Sequence, residues 1–409
     1  MNFRTTILLF TSILFLSSIY SQQRFQKKYE TTNASRAYSI KATYDGGFVV
    51  AGSYDVSGFL SAEFYVMKLN PNGDTAWVKT YGAATDSTIS TNRDGAGNEA
   101  YDIIQTYDSG YLVVGEAHDT SVQQSDALAL KLNKTGDTLW SKMYGGIASD
   151  YGYNVTQLKD SGFLLSGYTE SYGLGIRDAF AVRINKIGDT VWSKSYGGSA
   201  IDGVIGMTPT HDGGYVLAGN TFSFGAGLSD IYVFKIDSAG NLVWEYSLGG
   251  SSNDFANSII LAQDKGFVIT GSTESFGAGQ RDAYVLKIDS NGVLEWSKTY
   301  GNIYQDVIYH IIPDGDNYII CGTTKLNNLS QTEAIRSLYL FSIDSLGNQL
   351  WSYVAPQAEE VLIARDIVKI NDGGYIIPSG IKTGIVNNND YYVGSVLKLD
   401  SNFDIEWHN

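Results

Sequence analysis

Acidic residues at regular spacing are the side chains of this sequence best suited to chemistry. They form two sets whose members are 52 residues apart, namely Asp150, Asp202, Asp254 and Asp306 in one set and Asp178, Asp230 and Asp282 in the other. Carboxylates on turns can bind calcium, and they can also accept hydrogen bonds from backbone amides. Because these acids recur in several units rather than in one special place, amide capping is the favoured role. A structural calcium ion is the alternative.

A second group of acids follows a glycine that ends a predicted strand. At the third residue after that glycine the chemistry changes from unit to unit, and the acids found there are Asp55, Glu170 and Glu274. Glycoside-cleaving enzymes need two carboxylates about 5–9 Å apart, and these three acids lie nearer to the predicted axis than the loop tips do. They are therefore candidate ligand-binding or catalytic residues, although simple solvent exposure is the favoured interpretation of a variable position.

Aromatic residues form a third candidate set. Tyr172, Phe224 and Phe276 recur at intervals of 52 and lie among glycines. Such rings stack on sugars or on apolar groups of a protein partner, and they can equally pack over the neighbouring unit. The sequence adds no catalytic arrangement to them, because its four histidines are scattered over different unit positions and it has no G-x-S-x-G motif, phosphate-binding glycine loop or Cys-His pair.

The spacing of these candidates reflects a repeat that runs along the whole chain. All seven tryptophans stand at the same place in a unit of 52–63 residues, at Trp77, Trp140, Trp192, Trp244, Trp296, Trp351 and Trp407. Self-similarity at this period indicates a repeat architecture. Because each unit contains one tryptophan and the chain uses tryptophan nowhere else, we expect its indole ring to pack between neighbouring units.

Each unit has the pattern of four short strands. An Asp/Asn-x-x-Gly turn precedes every tryptophan except the last, and an Asp-Gly-Gly or similar turn opens another strand. Asp and Asn favour such turns, and glycine accepts positive φ. The residues between the turns alternate in polarity, as strands do. Four-stranded sheets of this size bury both faces only by stacking, so the predicted fold is all-β, a seven-bladed β-propeller with four antiparallel strands per blade.

Residues 22–409 are predicted to form this single domain. The blades cover approximately residues 31–82, 83–146, 147–198, 199–250, 251–302, 303–355 and 356–409. Residues 22–30 imitate the Trp-Ser-Lys-Thr-Tyr strand, with Phe25 at the place of the tryptophan. We therefore expect them to pair into the last blade as a closing strand.

Loops of irregular length all fall on one face of the predicted propeller. With the strands of a blade named a to d along the chain, the b-to-c and d-to-a connections emerge together on this face. Its long loops are residues 83–98, 325–337 and 382–394. Binding residues accumulate on loops carried by a rigid scaffold, so this variable-loop face is the predicted working surface.

The repeat resembles that of secreted and surface propellers of bacteria and archaea. The pattern D-G-G-Y-x-x-x-G, D-x-x-G-x-x-x-W and Y-G-G runs through the chain and is clearest in residues 147–302. The tryptophan segment is also distantly similar to quinoprotein propellers, but their dehydrogenases use adjacent cysteines and this chain has one cysteine. The resemblance implies a secreted or envelope repeat protein, and a likeness of fold carries no chemistry with it.

Residues 1–21 are typical of a secretory signal peptide, with Arg4, an apolar stretch from Ile7 to Ile19 and a small residue at Ser21. The stretch is short for a membrane span, so none is expected after signal removal, and retention as an anchor is the alternative. The net charge of −15, without a basic run, argues against nucleic acid. We expect a monomer that is secreted or displayed at the cell surface, outside the cytoplasmic membrane.

Two functions fit these features. The favoured one is a non-enzymatic scaffold that binds an extracellular protein or glycan through the variable-loop face. The alternative is an extracellular carbohydrate-active hydrolase or lyase that uses carboxylates near the mouth of the central channel. No cofactor is expected beyond the structural calcium named above.

Overall fold

The structure is a computed structural model that describes residues 27–28, 35–55, 62–82, 98–119, 124–325, 336–355, 362–370, 372–386 and 389–401. Within these ranges every strand belongs to one of seven antiparallel sheets, and helices are absent. The fold is therefore an all-β, seven-bladed propeller with four antiparallel strands per blade, which confirms the predicted fold class. None of the described residues belongs to an apolar helix long enough to span a lipid bilayer. The predicted signal peptide, residues 1–21, lies outside the described ranges.

The first six blades each contain four consecutive strands, a to d. Blade 1 contains Ser35–Ala42, Phe48–Asp55, Ala62–Leu69 and Thr75–Tyr81, and blade 2 contains Glu99–Gln105, Tyr111–Asp119, Gln124–Leu132 and Thr138–Tyr144. Blade 3 contains Asp150–Gln157, Phe163–Thr169, Asp178–Ile184 and Thr190–Tyr196, and blade 4 contains Asp202–Pro209, Tyr215–Thr221, Asp230–Ile236 and Leu242–Leu248. Blade 5 contains Asp254–Leu261, Phe267–Thr273, Asp282–Ile288 and Leu294–Tyr300, and blade 6 contains Asp306–Asp314, Asn317–Lys325, Arg336–Ile343 and Gln349–Val354.

Blade 7 is assembled from residues near both ends of the chain. Its strand a is interrupted, since Leu362–Ala364 and Val368–Lys369 both pair with strand b, Tyr375–Val386, which in turn pairs with strand c, Asn389–Leu399. On the outer edge of strand c lies Lys27–Lys28, with Lys27 opposite Val396 and Lys28 opposite Ser395. Phe25, Trp407 and the rest of the predicted closing strand lie outside the described residues.

Deletion of residues 22–30 is expected to lower the melting temperature by about 5 °C or more, because the outer edge of blade 7 would lose its partner strand. Thermal unfolding followed by circular dichroism would measure the change. A chain with Lys27 and Lys28 replaced by threonine is the matched control, since it keeps the backbone pairing and should melt like the wild type. If the truncated chain also melts like the wild type, the segment plays no part in closing the ring.

The hydrophobic core is divided among the junctions between neighbouring blades. One buried cluster joins Val49 and Phe64 of blade 1 to Val113 and Leu130 of blade 2, with Trp77 packed against it. The other six clusters of described residues occupy the other six junctions in the same way. Each blade therefore buries its apolar faces only against its neighbours, which is why the repeat must close into a ring.

In blades 1 to 5, strand d packs against a turn of the next blade. In blade 3, the Trp192 ring covers Gly240, where an added Cβ would lie 2.8 Å from the indole. The Tyr196 hydroxyl donates a hydrogen bond to the Gly240 carbonyl at 2.7 Å, and Lys194 donates to the Asn241 side chain at 2.8 Å. Gly240 has a φ of 76°, which favours glycine. The same tryptophan-to-glycine contact recurs between Trp77 and Gly136, Trp140 and Gly188, and Trp296 and Gly347.

Strand a of each of the first six blades carries a β-bulge beside the central axis. In blade 5 the pairing with strand b passes from Ala256 to Ser258, so Asn257 is an inserted residue. Inserted residues of this kind redirect a side chain, and here they line the axial channel. The inserted residues of blades 1 to 6 are Tyr38, Tyr101, Tyr153, Ile205, Asn257 and Tyr309.

Candidate functional site

The inner strands of the seven blades enclose an axial channel with a cavity of about 370 Å³. The six inserted residues and Arg365 of blade 7 form a first ring around it, here called the bulge ring. The next residue of each strand forms a second ring, the polar ring, which consists of Ser39, Asp102, Asn154, Gly206, Ser258, His310 and Asp366. Both rings change chemistry from blade to blade, so the channel wall is asymmetric although the blades share one fold.

Five tyrosines of blades 1 to 3 cluster where the channel opens on the variable-loop face. Tyr38, Tyr101 and Tyr153 of the bulge ring are joined by Tyr151 and Tyr168, and the centres of neighbouring rings are 4.4 to 6.5 Å apart. All five side chains are half-buried. This tyrosine cluster therefore packs together through part of each ring and presents the remainder to the channel mouth.

Two arginines lie over aromatic rings at the same opening. The guanidinium carbon of Arg177 is 3.9 Å from the centre of the Tyr168 ring, and that of Arg365 is 4.8 Å from Tyr38 and 5.9 Å from Tyr309. Such cation–π contacts hold a guanidinium in place. Arg365 is exposed, and no carboxylate in the described ranges forms an ion pair with it. Arg365 therefore offers a fixed positive charge to an anionic ligand.

A groove of about 240 Å³ opens beside the tyrosine cluster. Its lining includes Tyr168, Arg177, Ile205, Phe222 and Phe255. Phe222 is 48% exposed, so part of its ring is open to solvent in the groove. The groove extends the aromatic surface of the channel mouth from blade 3 towards blades 4 and 5.

Glu116 lies against the tyrosine cluster and has a perturbed pKa. The Tyr101 hydroxyl donates a hydrogen bond to it at 2.8 Å, and Glu99 is its paired residue across strands a and b. Burial raises the pKa of Glu116 to about 7, the negative charge of Glu99 adds to the rise, and the Tyr101 hydrogen bond opposes it. A carboxyl that titrates near neutral pH meets the first requirement for general acid–base catalysis. Glu99 itself contacts Arg36 at 3.4 Å and the Tyr38 hydroxyl at 3.1 Å.

The polar ring holds a charge network that joins blades 1, 2, 6 and 7. Asp366 accepts hydrogen bonds from Lys41 at 2.9 Å and from the Ile40 amide at 3.0 Å, and it lies 3.3 Å from Nε2 of His310. Lys41 also lies 3.5 Å from Asp102. Burial alone would raise the pKa of Asp366, but Lys41, His310 and the Ile40 amide hold it below the usual value. Burial lowers the pKa of His310, and the nearby Asp366 carboxylate opposes that shift.

Ser258 extends this network into a serine–histidine–aspartate row. Its hydroxyl is 3.4 Å from Nδ1 of His310. Ser258 is only 5% exposed, however, and the carboxylate of Asp366 is already paired with Lys41. An active nucleophile needs an accessible hydroxyl, and the hydroxyl of Ser258 is buried. The row therefore joins the inner strands of the neighbouring blades 5, 6 and 7.

The acids predicted from the variable strand-end position belong to blades 1, 3 and 5. Glu170 binds Arg177 of its own loop, with Oε1 2.6 Å from Nη2 and 3.2 Å from Nε. Glu274 binds Arg281 in the same way and also accepts a hydrogen bond from the Asn253 side chain at 2.8 Å. Asp55 ends strand b of blade 1, and its side chain lies outside the described part of the structure.

The three repeated aromatics pack on rings of strand c in their own blades. The ring centres are 6.2 Å apart for Tyr172 and Phe180, 5.7 Å for Phe224 and Tyr232, and 5.6 Å for Phe276 and Tyr284. Tyr172, Phe224 and Phe276 are nevertheless 47%, 39% and 43% exposed. One side of each ring therefore packs within its blade, and the other side faces solvent on the variable-loop face.

The four candidate calcium ligands are buried at the start of strand a. Asp150, Asp202, Asp254 and Asp306 are each 0% exposed. Oδ2 of each accepts a hydrogen bond from the amide four residues earlier, at 2.7 to 2.8 Å. Oδ1 of each has no hydrogen-bond partner among the described residues. Each aspartate thus caps a turn through one oxygen and leaves the other unsatisfied.

The tyrosine cluster, Arg365, Glu116 and the charge network were not among the sequence-based candidates. The repeat does contain a signal for the bulge ring, because aligned units carry Tyr38, Tyr101, Tyr153, Ile205 and Asn257 at one fixed position, 14 residues before the strand-b glycine. When one position varies in an otherwise regular unit, its side chain is not required for packing between the blades. The charge network has no such signal, since it depends on which blades become neighbours when the ring closes.

Known structures share this fold at very low sequence identity. Extracellular domains 1–2 of Drosophila Semaphorin 1a are 11% identical, with a TM-score of 0.53 over 91% of this chain and 88% of that chain. Sqt1 from Chaetomium thermophilum is 10% identical, with a TM-score of 0.50 over 92% and 100%, and YCF48 bound to a D1 peptide is 8% identical, with a TM-score of 0.50 over 90% and 94%. These similarities show the propeller fold alone. No protein-family model matches the chain, and no curated protein matches it.

Proposed function

We propose that the protein is a secreted or cell-surface binding scaffold without enzymatic activity, which holds an extracellular ligand on its variable-loop face. The proposal rests on the tyrosine cluster together with Arg365 at the channel mouth. Half-buried tyrosines are rigid, amphipathic contact surfaces that bind ligands at low entropic cost. Their placement at the axis, rather than on loop tips, gives the ligand a preformed surface.

A glycan with acidic sugars is the ligand class that this chemistry favours, and a protein segment is the other candidate. Tyrosine faces stack on the apolar faces of sugar rings, and tyrosine hydroxyls exchange hydrogen bonds with sugar hydroxyls. Arg365 matches a carboxylate or sulfate group, because a guanidinium binds planar anions through two parallel hydrogen bonds. The groove beside the cluster adds Phe222 and Phe255 as a second stacking surface.

The asymmetry of the bulge ring supports a single binding orientation. Blades 1, 2, 3 and 6 supply tyrosines, whereas blades 4 and 5 supply Ile205 and Asn257 and blade 7 supplies Arg365. A ligand that meets tyrosines on one side and a cation on another cannot bind equivalently in seven rotations. We expect one ligand per chain and a monomeric protein.

The experiment that tests the proposal screens residues 22–409 against an array of neutral and acidic glycans and, in parallel, against cell-surface proteins in a pull-down. The expected result is saturable binding of an acidic glycan that mass spectrometry recovers intact. Binding of a protein alone would replace the glycan as ligand. Shortened or unsaturated glycan products would contradict a non-enzymatic role, as would a blank result in both screens.

The second candidate function is a carbohydrate-active hydrolase or lyase, and Glu116 is the observation that favours it. A carboxyl with a pKa of about 7 beside a second carboxylate, Glu99, resembles the acid–base pair that such enzymes require. Tyr101 would lie next to a sugar bound at the mouth. This function predicts turnover that Glu116→Gln abolishes and Asp316→Asn, at an exposed acid, does not.

Glu116→Gln is also expected to remove part of the pH dependence of stability. Because folding raises the pKa of Glu116 from 4.5 to about 7, the folded state holds this proton more tightly than the unfolded state, and stability falls as pH rises through that window. The difference corresponds to about 3 kcal/mol. Urea unfolding at about pH 5 and about pH 8 should show a larger loss for the wild type than for Glu116→Gln. Equal losses would mean that Glu116 ionises as it does in water.

A further inference from the structure

Between blades 3 and 6, aspartates of neighbouring blades meet at three successive junctions on the variable-loop face. The first member of each pair begins strand c of one blade, and the second begins strand a of the next. The pairs are Asp178 with Asp202, Asp230 with Asp254, and Asp282 with Asp306. At the junction of blades 4 and 5, a Cβ built on Gly249 would lie 1.8 Å from Oδ1 of Asp230 and 2.7 Å from Oδ2 of Asp254. Both carboxylates therefore face the same small space, which Gly249 leaves open.

The carboxylates at this junction are buried and only half satisfied. Asp230 is 1% exposed and Asp254 is 0% exposed. Oδ2 of Asp230 accepts two backbone amides, and Oδ2 of Asp254 accepts the Gly250 amide and the Ser275 hydroxyl, both at 2.7 Å. Oδ1 of each is buried and has no hydrogen-bond partner among the described residues. Buried polar atoms are normally satisfied, so these oxygens indicate a partner that is not a protein donor.

Each pair also concentrates negative charge in the interior. Within the described ranges, none of the six aspartates forms an ion pair with a lysine, arginine or histidine. Burial and the nearby Asp202 carboxylate raise the pKa of Asp178, and burial and Asp282 raise that of Asp306. Backbone donors favour the ionised forms while the neighbouring charges oppose them. A bound cation would relieve both the repulsion and the unsatisfied oxygens.

We propose that these three junctions each bind one divalent cation with the chemistry of calcium. Calcium is a hard cation that takes about six to eight oxygen ligands, and each junction offers carboxylate oxygens from two blades. No three His, Cys, Asp or Glu side chains converge in the described part of the chain, so backbone carbonyls and water complete the shell. The cation ties strand c of one blade to strand a of the next, on the face that carries the proposed ligand site.

The test counts calcium on metal-stripped protein that has been dialysed against about 1 mM CaCl₂, within the affinity range of weak calcium modules. Inductively coupled plasma mass spectrometry gives the count, and thermal unfolding with and without calcium gives the stabilisation. Asp254→Asn keeps the size of the side chain and removes one charged ligand. It is expected to bind one calcium fewer than the wild type and to gain less stability from calcium. Asp316→Asn makes the same charge change at an exposed site and should retain the wild-type count.

Terbium luminescence provides a second readout, which is measured on the wild type and so does not require any variant to fold. Burial is the main cause that raises the pKa of Tyr284, and the nearby carboxylate of Asp254 adds to the rise, which places the two residues close together. Excitation of tyrosine should therefore sensitise the emission of terbium bound at the junction. Added calcium should displace the terbium and reduce this emission. Three results together would overturn the proposal: the wild type binds no calcium, it shows no terbium emission, and its melting temperature is the same in calcium and in chelator. A proton shared between the two carboxylates of each pair would then be the remaining explanation. An unchanged calcium count in Asp254→Asn would also overturn the proposal.

Discussion

Gly271→Ala is expected to destabilise the propeller by about 3 kcal/mol or more, because its methyl group would overlap the backbone of strand a. A Cβ at this position would lie 1.8 Å from the carbonyl oxygen of Phe255 and 3.0 Å from the Cα of Ala256. Backbone atoms cannot rotate away as a flexible side chain can, so the bulge that inserts Asn257 would have to open. Urea unfolding followed by tryptophan fluorescence would measure the loss of stability.

Gly203→Ala is the matched control for this prediction. Gly203 lies in strand a of blade 4, and the nearest atom to an added Cβ is 3.6 Å away. Its substitution should change the free energy of unfolding by less than about 1 kcal/mol. Equal effects of the two substitutions would contradict the requirement for space beside the bulge.

The space beside the strand-b glycines also determines the shape of the proposed ligand site. In blade 3, a Cβ at Gly167 would lie 1.9 Å from the Tyr151 carbonyl oxygen, and the bulge at this point inserts Tyr153 into the channel. Glycine at this position lets strand a approach closely and turn one extra side chain towards the axis. The shape of the channel mouth therefore depends on a residue that has no side chain.

Asp366→Ala is expected to cost about 3–5 kcal/mol, the second large effect. The substitution would leave the Ile40 amide without its acceptor and Lys41 with Asp102 at 3.5 Å as its remaining carboxylate. Burial disfavours the charge on Lys41, yet Asp366 and Asp102 raise its pKa above the usual value. Removal of Asp366 therefore leaves the partly buried Lys41 ammonium stranded with a single, more distant carboxylate. Thermal and urea unfolding would measure the loss.

Two further variants test this interpretation of Asp366. Asp189→Ala breaks an exposed pair with Lys142, whose side chains are 57% and 36% exposed, and should cost about 1 kcal/mol or less. Asp366→Ala combined with Lys41→Met also removes the ammonium group and should recover part of the loss, because the cation that has lost its closer carboxylate is then absent. A double variant that is less stable than Asp366→Ala alone would contradict the stranded-charge explanation.

The repeat in the sequence was sufficient to predict the fold because each repeated residue has a local role. Trp192, Tyr196 and Gly240 contact one another across one junction, and the same contacts recur around the ring. Positive φ at Gly240 follows from its turn. Such features depend on one unit and its neighbour, so a single aligned unit is enough to predict them.

The site depends on contacts that a repeat does not specify. Lys41 and Asp366 are 325 residues apart in sequence, and they meet only because blades 1 and 7 are neighbours in the ring. Asp230 and Asp254 were both recognised as repeated acids, but their convergence on Gly249 follows from how two blades pack. The bulge ring was missed for a related reason, since an inserted residue changes which face of strand a each later side chain occupies.

Affinity measurements on channel-mouth variants provide the sharpest test of where the ligand binds. With the ligand from the binding screens, isothermal titration calorimetry would compare the wild type with Arg365→Met, Phe222→Ala and Tyr107→Ala. Arg365 and Phe222 lie at the channel mouth and its groove, whereas Tyr107, which is 58% exposed, lies on a turn of the opposite face. We predict that the first two variants each weaken binding by about tenfold or more while Tyr107→Ala binds like the wild type. Wild-type affinity in both channel-mouth variants, with a loss in Tyr107→Ala, would contradict a ligand site on this face.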